Sequence, residues 1–283
     1  MKDLYIPETL TPLYFTPLYA GLTDEDKLTY NHLHGRYFLE QTIFYEQLMG
    51  CPALLVIART APDQKLRQEA RDFIDEENEH SSWFRTLLRE VSPGEYENRD
   101  FIMLKAPPLL RWSTRLSSRW IKLFPGLMWL QLMAEERALY FGRIFLAHQD
   151  AIDPRFLHVQ RKHLADEPSH IRRDEAFLQW LWPATPLWLR RLNARLLRRV
   201  IDEFFYLPKR SGWHVVNTWL ASRPHLANRS EEFRAAMDAL GANPAFVASL
   251  YPKRFLPRTH HLSKSWPELA FLDSLLTDAP TIL

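Results

Sequence analysis

Cysteine, glycine and long apolar runs are scarce in this chain of 283 residues. The single cysteine, Cys51, excludes an internal disulfide framework and is typical of a protein from a reducing cytoplasm. Eight glycines are too few for a sheet-rich fold with many tight turns. The longest apolar runs, 52–58 and 127–134, fall far short of the roughly 20 residues that a membrane-spanning helix needs. We therefore expect a soluble cytoplasmic protein without a membrane partner.

Charge of one sign is also lacking. The chain has 36 Lys and Arg against 34 Asp and Glu, a formal net charge of +2. A nucleic-acid-binding protein usually shows a more concentrated basic excess, so we expect no nucleic-acid partner. One basic amphipathic segment, 187–207, does contain five arginines between 190 and 199. A solvated helix face is the expected interpretation of that segment, ahead of membrane or nucleic-acid contact.

The twenty prolines fall mostly between long periodic stretches, where they mark helix boundaries. The pattern predicts four long helices, at about 24–50, 64–90, 125–148 and 154–180, with a short extension of the first that ends near residue 59. Further helices are predicted at 187–207, 212–221, 230–240 and 244–250, followed by an irregular tail after Pro257. No low-complexity linker separates these segments. We expect one domain over residues 1–283, with a bundle core at about 24–180 and a helical C-terminal extension at about 187–283.

Two Glu-x-x-His motifs lie in the second and fourth of the predicted long helices. They pair Glu77 with His80 and Glu167 with His170. Residues three apart on a helix share a face, so each motif can present a carboxylate and an imidazole to one metal ion. A single motif of this kind would be weak evidence, because glutamate and histidine are common on helix surfaces.

A glutamate precedes each motif at the same distance, in the preceding long helix. Glu46 lies 31 residues before Glu77, and Glu136 lies 31 residues before Glu167, so the whole set repeats at an offset of 90. In antiparallel helices that rise about 1.5 Å per residue, this spacing places the two carboxylates of each hairpin side by side. Four inward glutamates and two histidines form the di-metal site of ferritin-like bundles. The sequence therefore predicts an all-α, ferritin-like four-helix bundle that holds two metal ions.

A third histidine makes the predicted site unequal. His163 lies on the same helical stripe as Glu167 and His170, and we expect it to bind one of the ions. The acids just before the two motifs, Glu76 and Asp166, are candidates to accept the second N–H of a metal-bound imidazole across the bundle. Surface charge is the alternative interpretation of these two acids.

Glu40 is the rival of Glu46 for the role in the first helix. It lies 37 residues before Glu77, which an asymmetric hairpin would tolerate. Its counterpart at the 90-residue offset is Leu130, however, so the repeat favours Glu46. Glu40 is then expected to be an acid near the metals or the substrate.

The arrangement resembles the p-aminobenzoate N-oxygenase family of di-iron enzymes. The resemblance rests on the doubled pattern of a glutamate, a gap of about thirty residues and acid-Glu-x-x-His, together with the extra histidine, and it covers roughly 29–175. It implies two iron ions that activate O2 through a peroxo-type intermediate and oxidise a small amine. One departure is that the first copy reads Glu-Glu, where the family has Asp-Glu. The predicted metal ligands are Glu46, Glu77, His80, Glu136, His163, Glu167 and His170.

The sequence leaves several functional alternatives open. A di-iron oxidase or hydroxylase that acts on carbon would use the same ligands, and manganese could take the place of iron. A non-catalytic, iron-binding ferritin-like protein is the other alternative, although iron storage would not need His163. No flavin or nicotinamide motif is present, so the electrons are expected from an external donor. Homodimers are the commonest soluble oligomers, and the oligomeric state, the substrate and the donor stay open.

Overall fold

Four long helical segments pack side by side as two hairpins, which confirms the predicted all-α, ferritin-like architecture. The computed structural model describes residues 2–201, 209–250 and 252–276 and contains no β-strand within these ranges. The first hairpin is formed by α1, α2 and α3, the second by α5 and α6, and α3 packs against α6. The helices, in chain order, are α1 (Asp24–Tyr45), α2 (Cys51–Thr60), α3 (Gln64–Val91), α4 (Pro108–Arg119), α5 (Gly126–Ala147), α6 (Pro154–Ala184), α7 (Leu187–Ile201), α8 (Lys209–Ala221), α9 (Ser230–Asp238), α10 (Pro244–Leu250), α11 (Pro257–Ser263) and α12 (Phe271–Leu275).

Side-chain caps fix where three of the long helices begin. The Thr23 hydroxyl accepts the Asp26 N–H at the start of α1, and Asp63 accepts the Leu66 N–H at 2.8 Å at the start of α3. Asp153 accepts the Arg155 N–H at the start of α6. Pro154 occupies the first position of that helix, where its lack of an N–H group costs no hydrogen bond. Each cap satisfies a donor that the helix itself cannot, and such caps typically stabilise a helix by about 1 kcal/mol.

A π-helical segment, Glu46–Gly50, joins α1 to α2 without a break in direction. Its cause lies in Pro52, which has no N–H to donate to the carbonyl of Leu48, as an α-helix would require. That carbonyl instead lies 3.5 Å from the hydroxyl of Ser118 on α4. π-Segments often occur at functional sites because the extra residue changes which side chains face inward. Here the segment begins at Glu46, one of the predicted ligands.

The C-terminal helices pack onto the bundle rather than forming an irregular tail. The sequence-based prediction of an irregular chain after Pro257 is wrong, since α11 and α12 are helical. Leu256, Leu269 and Leu272 are fully buried in the same core as Trp129 and Trp182 of the bundle. These helices are too short for a periodic pattern, and the apolar contact is what stabilises them. The predicted end of the helix at 187–207 lies outside the described residues.

Within the described ranges, no helix is both long enough and apolar enough to cross a membrane.

Glu40 anchors the segment between α3 and α4. Its side chain is fully buried and accepts the Tyr96 hydroxyl at 2.6 Å and the backbone N–H groups of Ile102, Met103 and Leu104 at 2.9, 3.0 and 2.6 Å. A buried carboxylate with four donors is well solvated by the protein itself. The structure therefore gives Glu40 a place in the fold and not in a cluster with the predicted ligands.

Replacing Glu40 with alanine should destabilise the protein without removing metal ions. Four donors would lose their acceptor, and we expect the free energy of unfolding to fall by about 3 kcal/mol or more. Urea denaturation measures this, with Glu79→Ala on the exposed side of α3 as the control, which should cost less than about 0.5 kcal/mol. Unchanged stability together with a loss of bound metal would instead place Glu40 among the ligands.

Candidate metal centre

Seven buried carboxylate and imidazole side chains converge in the middle of the bundle. Each is at most 6% exposed, and they come from the π-segment that follows α1 and from α3, α5 and α6. They form three overlapping groups, in each of which all the candidate ligand atoms lie within 4.8 Å of one another. The groups are Glu46 with His80 and His163, Glu77 with His80 and His170, and Glu135 with Glu167 and His170.

Glu77 and Glu167 occupy the centre of the cluster. Glu77 Oε1 lies 3.2 Å from His170 Nδ1 and 3.9 Å from His80 Nδ1. Glu167 Oε1 lies 2.8 Å from His163 Nε2 and 3.9 Å from His170 Nδ1. Each of these glutamates is therefore placed between two histidines, as a carboxylate that bridges two metal ions would be.

Glu46 and Glu135 lie at opposite ends of the cluster. Glu46 Oε1 is 3.5 Å from His163 Nε2, and its other oxygen accepts the Ser81 hydroxyl at 2.7 Å. Glu135 Oε2 is 3.6 Å from His170 Nδ1. The two ends are unequal, because the Glu46 end has two histidines nearby, His80 and His163, and the Glu135 end has His170.

Six of the seven side chains predicted as ligands are brought together, and Glu136 is the exception. Its carboxylate accepts the backbone N–H groups of Arg258 and Thr259, at 2.7 and 2.9 Å, at the start of α11. The neighbouring Glu135 lies in the cluster instead. The equal spacing of 31 residues points to Glu136 and not to its clustered neighbour because the two hairpins have unequal connections. Residues 61–63 separate α2 from α3, whereas 148–153 separate α5 from α6.

A signal for Glu135 is present in the sequence of α5. Gln131, Glu135, Ala138 and Gly142 form a stripe of polar or small residues on a largely apolar helix. A Cβ on Gly142 would lie 2.7 Å from Leu164 Cδ1, so this stripe faces α6 at close range. The inward face of the helix therefore contains Glu135, and a search based on helix phase would have found it.

Two hydrogen bonds across the bundle orient the imidazoles. Nε2 of His80 on α3 lies 3.0 Å from a carboxylate oxygen of Asp166 on α6. Nε2 of His170 on α6 lies 2.9 Å from a carboxylate oxygen of Glu76 on α3. This confirms the predicted contacts of both acids. The carboxylate accepts a hydrogen bond from Nε2, so Nδ1, which faces the cluster, is the nitrogen that a metal ion would bind. Arg173 also forms an ion pair with Glu76. The hydrogen bond from His170 and the positive charge of Arg173 together lower the pKa of the Glu76 carboxyl to about 2.

Aromatic rings form the walls beside the histidines. Phe73 stacks on His170 with ring centroids 4.1 Å apart, and Phe84 meets His163 edge-on at 5.1 Å. Phe73 is the counterpart of His163 at the 90-residue offset, which makes the two halves differ in nitrogen ligands. The walls exclude water, so charges in the cluster interact strongly.

Without bound cations, the cluster depends on protons to offset its buried charges. Burial and the nearby charges of Glu46 and Glu135 raise the pKa of Glu77 well above its usual range, and burial raises that of Glu167 to about 8. Burial disfavours a charged His170, but its contacts with Glu135 and Glu76 prevail and raise its pKa to about 10.

Several buried atoms of the cluster also have no hydrogen-bond partner among the described residues. They include both Glu77 oxygens and Nδ1 of His80 and His170. The approach of His170 Nδ1 to Glu77 is close but is not aligned as a hydrogen bond. Oxygen and imidazole donors with free lone pairs suit divalent iron or manganese, and two such ions would neutralise the four carboxylates. The residues therefore fit a di-metal centre.

A family model matches most of the chain. The family is described as p-aminobenzoate N-oxygenase AurF, and the match covers residues 1–242. The chain belongs to this family. The p-aminobenzoate N-oxygenases are di-iron oxygenases, and the buried cluster has the carboxylates and histidines that such a centre needs. A comparison with curated proteins found no match. Residues 243–283, which include α11 and the partner of Glu136, lie beyond the part that the p-aminobenzoate N-oxygenase model covers.

A small cavity of about 70 Å³ opens directly onto the cluster. Glu46, Glu135 and His163 form its inner wall, and Phe38 and Ala138 are among the residues of its sides. A second cavity, of about 90 Å³, extends from it toward the N-terminal segment and α10. The residues common to the walls of both cavities are Phe38, Gln41, Arg137 and Phe141.

Adjacent glutamates on α5 provide a matched test of the ligand set. We expect Glu135→Ala to retain about one metal ion per chain, and Glu136→Ala to retain about two, as the wild type does. Glu136→Ala should instead weaken the attachment of α11, because two backbone donors lose their acceptor. Elemental analysis after anaerobic loading measures the metal, and thermal unfolding measures the attachment. The reverse pattern of metal loss would support the spacing-based ligand, Glu136.

Proposed function

We propose that the protein is a di-iron oxygenase that uses O2 to oxidise a small organic amine at nitrogen. The observation that carries the proposal is a cavity lined by three of the seven clustered carboxylate and imidazole groups, in a chain of the N-oxygenase family. An iron-storage protein would not need a cavity for an organic molecule beside its ligands. Electrons would come from an external donor.

The proposed ligand set follows the geometry of the cluster. Glu46, His80 and His163 would hold one iron, and Glu135 and His170 the other. Glu77 and Glu167, each of which lies between two histidines, would complete the ligand set. A bound pair of ferrous ions would supply the electrons and the open coordination positions for the reduction of O2.

The chamber residues position the substrate and exclude water. Phe38 and Phe141 give the chamber apolar walls, which favour an aromatic or other flat apolar body. The small volume limits that body to about one ring, with its nitrogen toward Glu46 and His163. Arg137, in the wall common to both cavities, favours a substrate with an anionic group at the end remote from the amine. Desolvation of the amine in this chamber would keep it uncharged and able to react.

The direct test combines iron loading with product analysis. Anaerobic loading with ferrous ions should give about two irons per chain, and p-aminobenzoate or a related aromatic amine should then raise the consumption of O2. Mass spectrometry should find hydroxylamine, nitroso or nitro products. The control variants, His80→Ala and His170→Ala, should each lose about one iron and the activity. Products hydroxylated on carbon would overturn N-oxygenation, and a failure to bind iron would overturn the di-iron centre itself.

Filling the cavity beside the cluster should block substrate binding and leave the metal content unchanged. Ala138→Leu adds three carbon atoms to the wall of the cavity of about 70 Å³. We expect kcat/KM for the amine to fall by at least about tenfold, with unchanged iron content, because a crowded site loses several kcal/mol of substrate binding. Ala147→Leu, the same change at the exposed end of α5, is the control and should keep full activity. Equal activity of the two variants would exclude this chamber as the substrate site.

A further inference from the structure

We infer that α4 and α7 form a docking face for an anionic lipid surface. Of the ten large apolar side chains that are well exposed in the described residues, eight lie on α4, on α7 or in the turns directly beside them. Trp112, Trp120 and Trp188 are 62, 55 and 68% exposed. Such a concentration of exposed apolar side chains indicates an interaction surface rather than ordinary solvated helices.

The two helices repeat one arrangement of side chains. Each has an outward apolar stripe at a spacing of four residues. The stripe of α4 is Trp112, Leu116 and Trp120, the last of which directly follows the helix, and that of α7 is Trp188, Leu192 and Leu196. These six residues define the docking face. An arginine comes directly before most of them in the chain, so a cationic stripe runs beside each apolar one.

The stripes belong to neighbouring parts of the surface. The turn after α4 meets the middle of α7, where the Asn193 side chain donates to the Leu123 carbonyl at 2.9 Å and accepts the Gly126 N–H at 3.0 Å. Asn193 itself is buried, whereas Leu192 beside it is exposed. The inner side of α7 is thus bound to the bundle, and the docking face lies on its outer side.

The charge of this region is of one sign. No acidic residue occurs from 101 to 134 or from 176 to 201, and these two stretches contain ten Lys and Arg residues. Arg190 pairs with Glu268 at 3.0 Å, whereas Arg115, Arg119, Arg191 and Arg195 form no ion pair with any described residue. The chain as a whole has a net charge of only +2, so the cations are concentrated here.

This combination selects an anionic bilayer among the conceivable occupants. Tryptophan and leucine beside arginine on a helix that lies flat is the composition that inserts at the headgroup level, where arginine stems extend to the lipid phosphates. A second copy of the chain would bring two sets of unpaired arginines together with no carboxylate between them, which opposes self-association. The five arginines of 187–201 alone suggest a solvated helix face. The exposure of Trp188, Leu192 and Leu196 between those arginines argues for the bilayer instead.

The test is the binding of the full-length protein to vesicles. The protein should sediment with vesicles of phosphatidylcholine containing roughly one third phosphatidylglycerol, and only weakly with phosphatidylcholine alone. High salt should weaken the binding, and tryptophan fluorescence should shift to shorter wavelength as the rings leave water. No sedimentation with the anionic vesicles would overturn the proposal, whether or not an acidic protein binds the same face.

Variants of α7 locate the docking face. Replacing Trp188, Leu192 and Leu196 together with serine should lower the vesicle partition coefficient by at least about tenfold, and changing Arg191 and Arg195 to glutamine should abolish the preference for anionic vesicles. Leu55→Ser, at an apolar side chain that is 43% exposed elsewhere, is the matched control and should bind as the wild type does. Circular dichroism and iron content verify that each variant is folded. Unchanged vesicle binding of the triple variant, or its conversion of a wild-type dimer to a monomer, would contradict the lipid assignment.

Discussion

The structure depends on the burial of charge at the centre of an apolar bundle. Four carboxylates and three imidazoles lie there at no more than 6% exposure, and several of their atoms have no partner among the described residues. Burying a charge without compensation costs several kcal/mol, so such a cluster is stable only with bound protons or cations. In the protein without metal, the raised pKa values of Glu77 and Glu167 show that these buried carboxyls favour the protonated form. Two divalent cations would satisfy it, and the bundle holds the candidate ligand atoms of each group within 4.8 Å of one another.

The hydrogen bonds around the cluster join the two hairpins to each other. Asp166 orients His80 from the opposite hairpin, and Glu76 orients His170 in the same way, so neither hairpin can form the centre by itself. The π-segment turns Glu46 inward, and the C-terminal helices are attached to α5 through Glu136, directly beside Glu135. The attachment of the extension and one of the clustered carboxylates therefore lie in the same turn of α5. The clustered residues lie within the part of the chain that the family model matches, residues 1–242. The attachment through α11 involves residues beyond that part.

Much of the fold and the centre could be predicted from the sequence, because helix periodicity and the Glu-x-x-His motifs are local signals. They are enough to place Glu77, His80, Glu167 and His170 on inward faces, and the repeat favours Glu46 over Glu40. Equal spacing could not distinguish Glu135 from Glu136, because the heights of residues in two hairpins depend on connections of different length. The role of Glu40 depends on backbone donors more than sixty residues away, which no local pattern reveals. The short C-terminal helices could not be predicted either, because contact with the bundle core and not a local periodic pattern stabilises them.

The most direct test of the central claim is a crystal structure of the iron-loaded protein with anomalous diffraction at the iron edge. The account predicts two anomalous peaks inside the bundle, one beside Glu46 and His163 and one beside Glu135 and His170, with the carboxylates of Glu77 and Glu167 between them. A single peak, no peak, or a pair of peaks held by Glu136 in place of Glu135 would contradict it.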